Sequence, residues 1–173
     1  MKSKLLNNNL FRRLKELEKE EFGTDNFPIS NNIENHLFEV TNVLLNDIPS
    51  FMPEYTLHDV SHSIKILDII NKILPSGVSL NIVELQILMY ATFLHDIGMV
   101  INRDDAKELK NTKEFEAITM EFGQEVEEDE ILTELIRRTH VQRSLEYVDK
   151  FKEDFSTYQI DFKYKQIDLT SYI

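Results

Sequence analysis

Residues Leu80–Gly98 read LNIVELQILMYATFLHDIG, and this stretch decides the fold. It predicts one helix from Leu80 to about Asp96 that is apolar almost all round from Ile87 to Leu94. A helix without a polar face cannot sit at a surface, so it belongs in the middle of a bundle. Its end is unusual, because an imidazole and a carboxylate, His95 and Asp96, follow directly on Phe93-Leu94. Adjacent ionisable groups there are costly to bury unless they are paired or hold an ion.

Working outward, the segments on either side also read as helices. Upstream, Thr56-x-x-Asp59 resembles a capping box, with Ile66, Ile69, Ile70 and Ile73 as the core stripe of the helix it opens and Pro75-Ser76-Gly77 as its end. Asp59 is expected to satisfy free amides in that first turn. Further back, Leu5–Glu21 carries Leu10, Leu14 and Leu17 at helical spacing, closed by Phe22-Gly23. After a loop through Pro28, Asn31 and Glu34 suggest a cap for a helix with Ile33, Leu37, Val40 and Leu44 inside.

Downstream, Asn102–Phe122 is charged and helical, Gly123 breaks it, and the acidic run Glu125–Glu130 precedes a helix through His140 that continues over Arg143–Phe155. Asp168–Ile173 reads as the first turn of another helix, with Leu169, Tyr172 and Ile173 needing a cover. The chain is therefore expected to be an amino-terminal piece of a longer protein. Four glycines and four prolines in 173 residues favour long helices over a turn-rich β fold, so the fold class is all-α. One or two amino-terminal helices over 1–50 are expected to pack on a core domain over 51–173.

Composition narrows the function. Cysteine is absent, so any metal must be held by nitrogen and oxygen. The net charge of −12 repels phosphate backbones and argues against a nucleic-acid polymer as partner. A small phosphorylated ligand is compatible with it, because one local ion or arginine cluster can reverse the global field. No apolar run approaches the roughly 20 residues of a spanning helix, and the polar amino terminus does not read as a signal peptide. A cytoplasmic location without membrane contact is the expectation.

Four of the five histidines form a pattern. His58 and His62 lie four apart, on one face of a helix. His95-Asp96 closes the buried helix and leads into Ile97-Gly98, and His140 lies in Arg137-Arg138-Thr139-His140-Val141-Gln142-Arg143. His36 falls outside the set. Spacing alone leaves two readings open: a metal site on His62, His95 and Asp96, or histidines that are each satisfied separately in the core.

The ordered arrangement of His-x-x-x-His, His-Asp-x-Gly and a later histidine among arginines resembles the HD superfamily of metal-dependent phosphohydrolases, which are all-helical. The segments that carry the resemblance are His58–Ser63, Phe93–Met99 and Arg137–Ser144, and their wording is most similar to the bacterial HD-CE branch. The resemblance covers roughly Phe51 to the carboxyl end. It implies that His62, His95 and Asp96 hold a divalent ion (Mn, Fe, Ni, Co, Zn or Mg), with Asp96 able to bridge two. By the same likeness His58 matches a proton donor to the leaving group, and His140 a ligand of a second metal. Arg137, Arg138 and Arg143 are candidates to clamp phosphate, against their role as surface ion-pair partners.

The family closes its primary site with a later aspartate. Asp149, Asp154, Asp161 and Asp168 are available, without a context that singles one out. Met99 stands where the dinucleotide-cleaving branch often has lysine. Two functions follow: a phosphohydrolase or phosphodiesterase acting on a nucleotide-like phosphoester, or a non-catalytic nucleotide- or metal-sensing module coupled to a partner domain such as a GHKL-type ATPase. The partner expected at the chain end is a downstream domain or a second copy.

Overall fold

In the computed structural model, which describes residues 1–48, 52, 59–123 and 125–173, the central stretch is helix from Ile82 to Leu94. Asn81 opens it with a capping box: its side chain accepts from the Val83 and Glu84 amides, while Glu84 accepts from the Asn81 amide. Leu85, Met89, Tyr90 and Phe93 are fully buried on one face, while Ile87, Leu88 and Ala91 on the other side are partly buried, so the helix is central but not enclosed all round.

In chain order the helices among the described residues are α1 (Lys2–Asn7), α2 (Asn9–Phe22), α3 (Pro28–Asn32), α4 (Phe38–Leu45), α5 (Val60–Ile73), α6 (Ile82–Leu94), α7 (Arg103–Leu109), α8 (Lys113–Phe122), α9 (Glu128–Glu153) and α10 (Phe155–Tyr158). A π turn, Ile33–Leu37, joins α3 to α4. The only strands among the described residues form an antiparallel hairpin, Lys163–Tyr164 with Ile167–Asp168. The protein is all-α. Among the described residues, no helix is long and apolar enough to cross a membrane.

Several boundaries differ from the sequence reading. The first amphipathic run is two helices, because the buried Asn8 side chain caps α2 through the Leu10 and Phe11 amides and donates to Asp68 across the bundle. The next helix starts at Pro28 rather than Asn31. Its cap comes from α2, where the fully buried Glu18 carboxylate accepts from the Ile29 and Ser30 amides at 2.6 and 3.0 Å. On α5 the buried face is Val60, Ser63, Ile64 and Leu67, whereas Ile69 and Ile73 are 55 and 70 % exposed. Thr112 caps α8 and divides the charged segment into α7 and α8. The run Asp168–Ile173 is not an α-helical turn: it completes the hairpin and adds one 3-10 turn, Thr170–Tyr172, with Leu169 buried.

One hydrophobic core joins these elements and includes residues from α1, α2 and α4 as well as α6 and α9. Tyr90 ties it together at the centre. Its hydroxyl is shared between Asn32 Oδ1 and the Asp161 carbonyl, at 2.9 and 2.7 Å, so α3 and the segment before the hairpin meet over α6. Burial holds this phenol far above the ordinary tyrosine range.

Candidate metal centre

The site forms where two helix ends meet. At the start of α5, Asp59 is the N-cap: one carboxylate oxygen accepts from the Ser61 amide at 2.9 Å, the His62 amide at 3.2 Å and the Ser61 hydroxyl. That cap fixes the first turn, from which the half-buried His62 side chain projects. His58 and Thr56 lie outside the described residues.

At the other end, α6 finishes at Leu94 and His95 follows with its ring half-buried. His95 Nδ1 lies 2.8 Å from the Thr92 carbonyl, one turn back. A carbonyl can only accept, so Nδ1 carries the proton and Nε2 is the nitrogen presented to the site. His95 Nε2 lies 2.8 Å from Asp96 Oδ2, and His62 Nε2 lies 3.9 Å from the same oxygen. The two imidazole rings are tilted neighbours with centroids 5.6 Å apart. Asp96 is buried, with 6 % of its surface exposed.

Burial pushes the His95 imidazole towards neutrality. The hydrogen bond and charge of Asp96, with the Thr92 carbonyl, outweigh it, so the His95 pKa lies above its ordinary value. In the protonated imidazole, Nε2 points its proton at Asp96 Oδ2, 2.8 Å away. That is also where a cation would be held. One ligand atom from each of His62, His95 and Asp96 falls within 4.8 Å of the others, and these three are the metal-competent group among the described residues. Two imidazole nitrogens with a carboxylate oxygen fit a divalent ion of the transition series or zinc. The carbonyl-fixed tautomer of His95 is the orientation that metal-binding histidines use.

After Asp96 the chain turns through Ile97–Met99, and this turn is fastened to α9. Ser144 Oγ accepts from the Gly98 amide at 2.9 Å and donates to the His95 carbonyl at 3.0 Å. Arg143 donates from Nε to the Gly98 carbonyl at 2.7 Å and from Nη2 to the Val100 carbonyl at 2.8 Å. Gly98 sits against the α9 backbone so closely that a Cβ there would lie 1.9 Å from the His140 carbonyl oxygen.

The remaining described candidates lie outside the three-residue group. His140 donates from Nδ1 to the Arg137 carbonyl of its own helix, 2.7 Å away. Arg137 and Arg138 both bind Glu134, and Arg138 also makes a two-pronged bond to Glu121 on α8. The two guanidiniums hold the Glu134 carboxyl down at about 2. Asp154 caps α10, Asp168 binds Lys152 at 2.6 Å, and Asp161 accepts from the Lys163 amide. A cavity of about 400 Å³ lies away from the three ligands, lined by Asp105, Glu108, Arg143, Glu146, Tyr147 and Lys150 among others.

A family model, HD-CE, matches residues 52–167. The chain belongs to the HD-CE family. Its matched span contains all three members of the metal-competent group and the α9 segment that fastens the turn. No curated protein and no solved structure matches the chain.

Sequence reasoning gave no role to Thr92, Gly98 or Ser144. The signal for Thr92 was its place one turn before His95, where its carbonyl reaches the ring. For the other two it was the coincidence of small residues, glycine on the turn and serine on α9, which lets two backbones approach.

Proposed function

We propose that this HD-CE protein is a metal-dependent phosphohydrolase acting on a small nucleotide-like phosphoester in the cytoplasm. The convergence of His62, His95 and the buried Asp96 within 4.8 Å carries the reading. A divalent ion held there supplies Lewis acidity, polarising a phosphoryl oxygen and acidifying water.

The chain's own groups do the rest. Thr92 keeps the proton on His95 Nδ1, so Nε2 faces the site in the ligating form. Asp59 orders the α5 turn and with it His62. Asp96 places a carboxylate in a buried position, where its charge attracts a cation more strongly than it would at the surface. By family likeness, His58 supplies a proton to the leaving oxygen, and His140 serves as a ligand where a second ion is held. A phosphate reaching Arg137 or Arg138 competes with Glu134 and Glu121 for them.

The test couples metal analysis to turnover. Protein purified without chelator should hold a divalent metal and hydrolyse bis-p-nitrophenyl phosphate with added Mn²⁺. His95→Ala and Asp96→Ala should lose both properties. His58→Ala should keep the metal and lose roughly 100-fold or more in turnover, the scale of general acid catalysis. Metal content unchanged in His95→Ala and Asp96→Ala would sink the site assignment. Metal binding without hydrolysis of any phosphoester offered would leave a sensing module instead.

A further inference from the structure

From the hydrogen bonds between α9 and the His95–Val100 turn, we infer that Arg143 and Ser144 are positioning residues for the metal ligands, acting through the backbone rather than on substrate. The inference rests on the reading of His62, His95 and Asp96 as a metal site, but not on hydrolysis.

Two adjacent side chains satisfy four backbone groups of one short segment: the His95 carbonyl, the Gly98 amide and carbonyl, and the Val100 carbonyl. His95 is a ligand, and its carbonyl is held by the same hydroxyl that accepts the Gly98 amide. Asp96 lies between these two anchored points, so its carboxylate is fixed at both sides of its own Cα. Ser144 is buried, which excludes water from replacing its hydroxyl cheaply. Arg143 spends Nε and Nη2 on two carbonyls two residues apart, a planar fork that matches the turn as a single ammonium cannot. Both side chains therefore grip a segment that no helix of its own continues, since α6 has ended and α7 has not begun.

The support comes from a rigid element. Arg143 and Ser144 stand well inside the 26-residue α9, more than two turns from either end. The Gly98 approach to the His140 carbonyl and Ser144 amide leaves no slack between turn and helix. Supporting bonds of this kind around metal ligands are worth about 10–100-fold in metal affinity.

The test reads Co²⁺ affinity and the ligand-field absorption of bound Co²⁺ in the full chain after chelator treatment, beside far-ultraviolet CD. Ser144→Ala, which removes one oxygen, should stay helical, weaken Co²⁺ binding by roughly 10-fold or more and alter the Co²⁺ spectrum. Arg143→Ala should do the same, and Arg143→Lys should fail to restore it although the charge is kept. Should Arg143→Ala fail to fold, Ser144→Ala decides alone. Folded Ser144→Ala with Co²⁺ affinity within twofold of the parent, and an unchanged spectrum, would overturn the inference; so would full recovery with Arg143→Lys. Failure of the metal-site reading looks different: His95→Ala would then bind Co²⁺ as the parent does.

Discussion

Gly98→Ala is the sharpest perturbation the structure offers. The added Cβ would meet the His140 carbonyl oxygen at 1.9 Å, the Ser144 amide nitrogen at 2.6 Å and the His140 carbonyl carbon at 2.9 Å. The first of these falls about 1.5 Å short of the 3.4 Å at which ordinary contact begins. All three atoms are backbone of a 26-residue helix, so no side chain can swing aside. The turn or α9 must move by more than an ångström, and the two Ser144 bonds at 2.9 and 3.0 Å cannot survive that. Overpacking costs about 1–3 kcal/mol and each lost buried hydrogen bond about 1 kcal/mol or more, giving roughly 3–5 kcal/mol together. With a urea dependence of about 2 kcal/mol per M, the unfolding midpoint should fall by about 1.5–2.5 M. Gly77→Ala is the control. It sits at φ +102° with nothing within 4 Å, so it should cost only the left-handed penalty of about 1–2 kcal/mol. A Gly98→Ala midpoint within about 0.3 M of the parent, a shift of well under 1 kcal/mol, would refute the close approach of turn and helix.

Three further outcomes are expected. Glu18→Ala strips the cap from α3 and leaves two buried amides unpaired, costing about 2–4 kcal/mol in urea unfolding, with Glu18→Gln costing about half because one acceptor oxygen stays. In metal-free protein the His95–Asp96 pair stabilises the fold fully below the unfolded histidine pKa of about 6.5, and this contribution is lost as pH rises through the raised folded value. Melting temperature followed against pH should show that loss, and Asp96→Asn should remove it. Metal affinity runs the opposite way, because the ion must displace the proton on Nε2: calorimetric binding should strengthen with pH up to the raised His95 pKa and level off above it. Affinity independent of pH through this window would show that His95 is not a ligand.

What the sequence made legible was local. The cap by Asp59, the central burial of α6 and the exceptional position of His95-Asp96 each depend on residues within one or two turns of each other. The misplaced features depend on partners far along the chain. Glu18 has the spacing of a charged-face residue on α2, and only the fold shows its carboxylate buried against the start of α3, eleven residues on. On α5, Ile64, Ile66, Leu67, Ile69, Ile70 and Ile73 leave no single apolar arc to choose. The packing of α2, α4 and α6 against it selects the arc through Ile64 and Leu67 and leaves Ile69 and Ile73 facing outward. Ser144 was invisible for the same reason, since its partners His95 and Gly98 lie 49 and 46 residues away.

The placement of the candidate ligands on helix ends has an electrostatic consequence. The carboxyl end of α6, where His95 stands, carries the negative end of its helix dipole and favours a cation. The amino end of α5, where His62 stands, carries the positive end and opposes one. Asp59 offsets that opposition, because its carboxylate sits on the free amides of the first α5 turn. Asp59 is thus more than a cap: it cancels positive potential next to the site without being a member of the ligating group. With α6 contributing negative potential, α5 neutralised and Asp96 buried between them, the fold assembles a field that would suit a divalent cation at the proposed site. Preorganisation of this kind would let an ion bind without first ordering the chain around it.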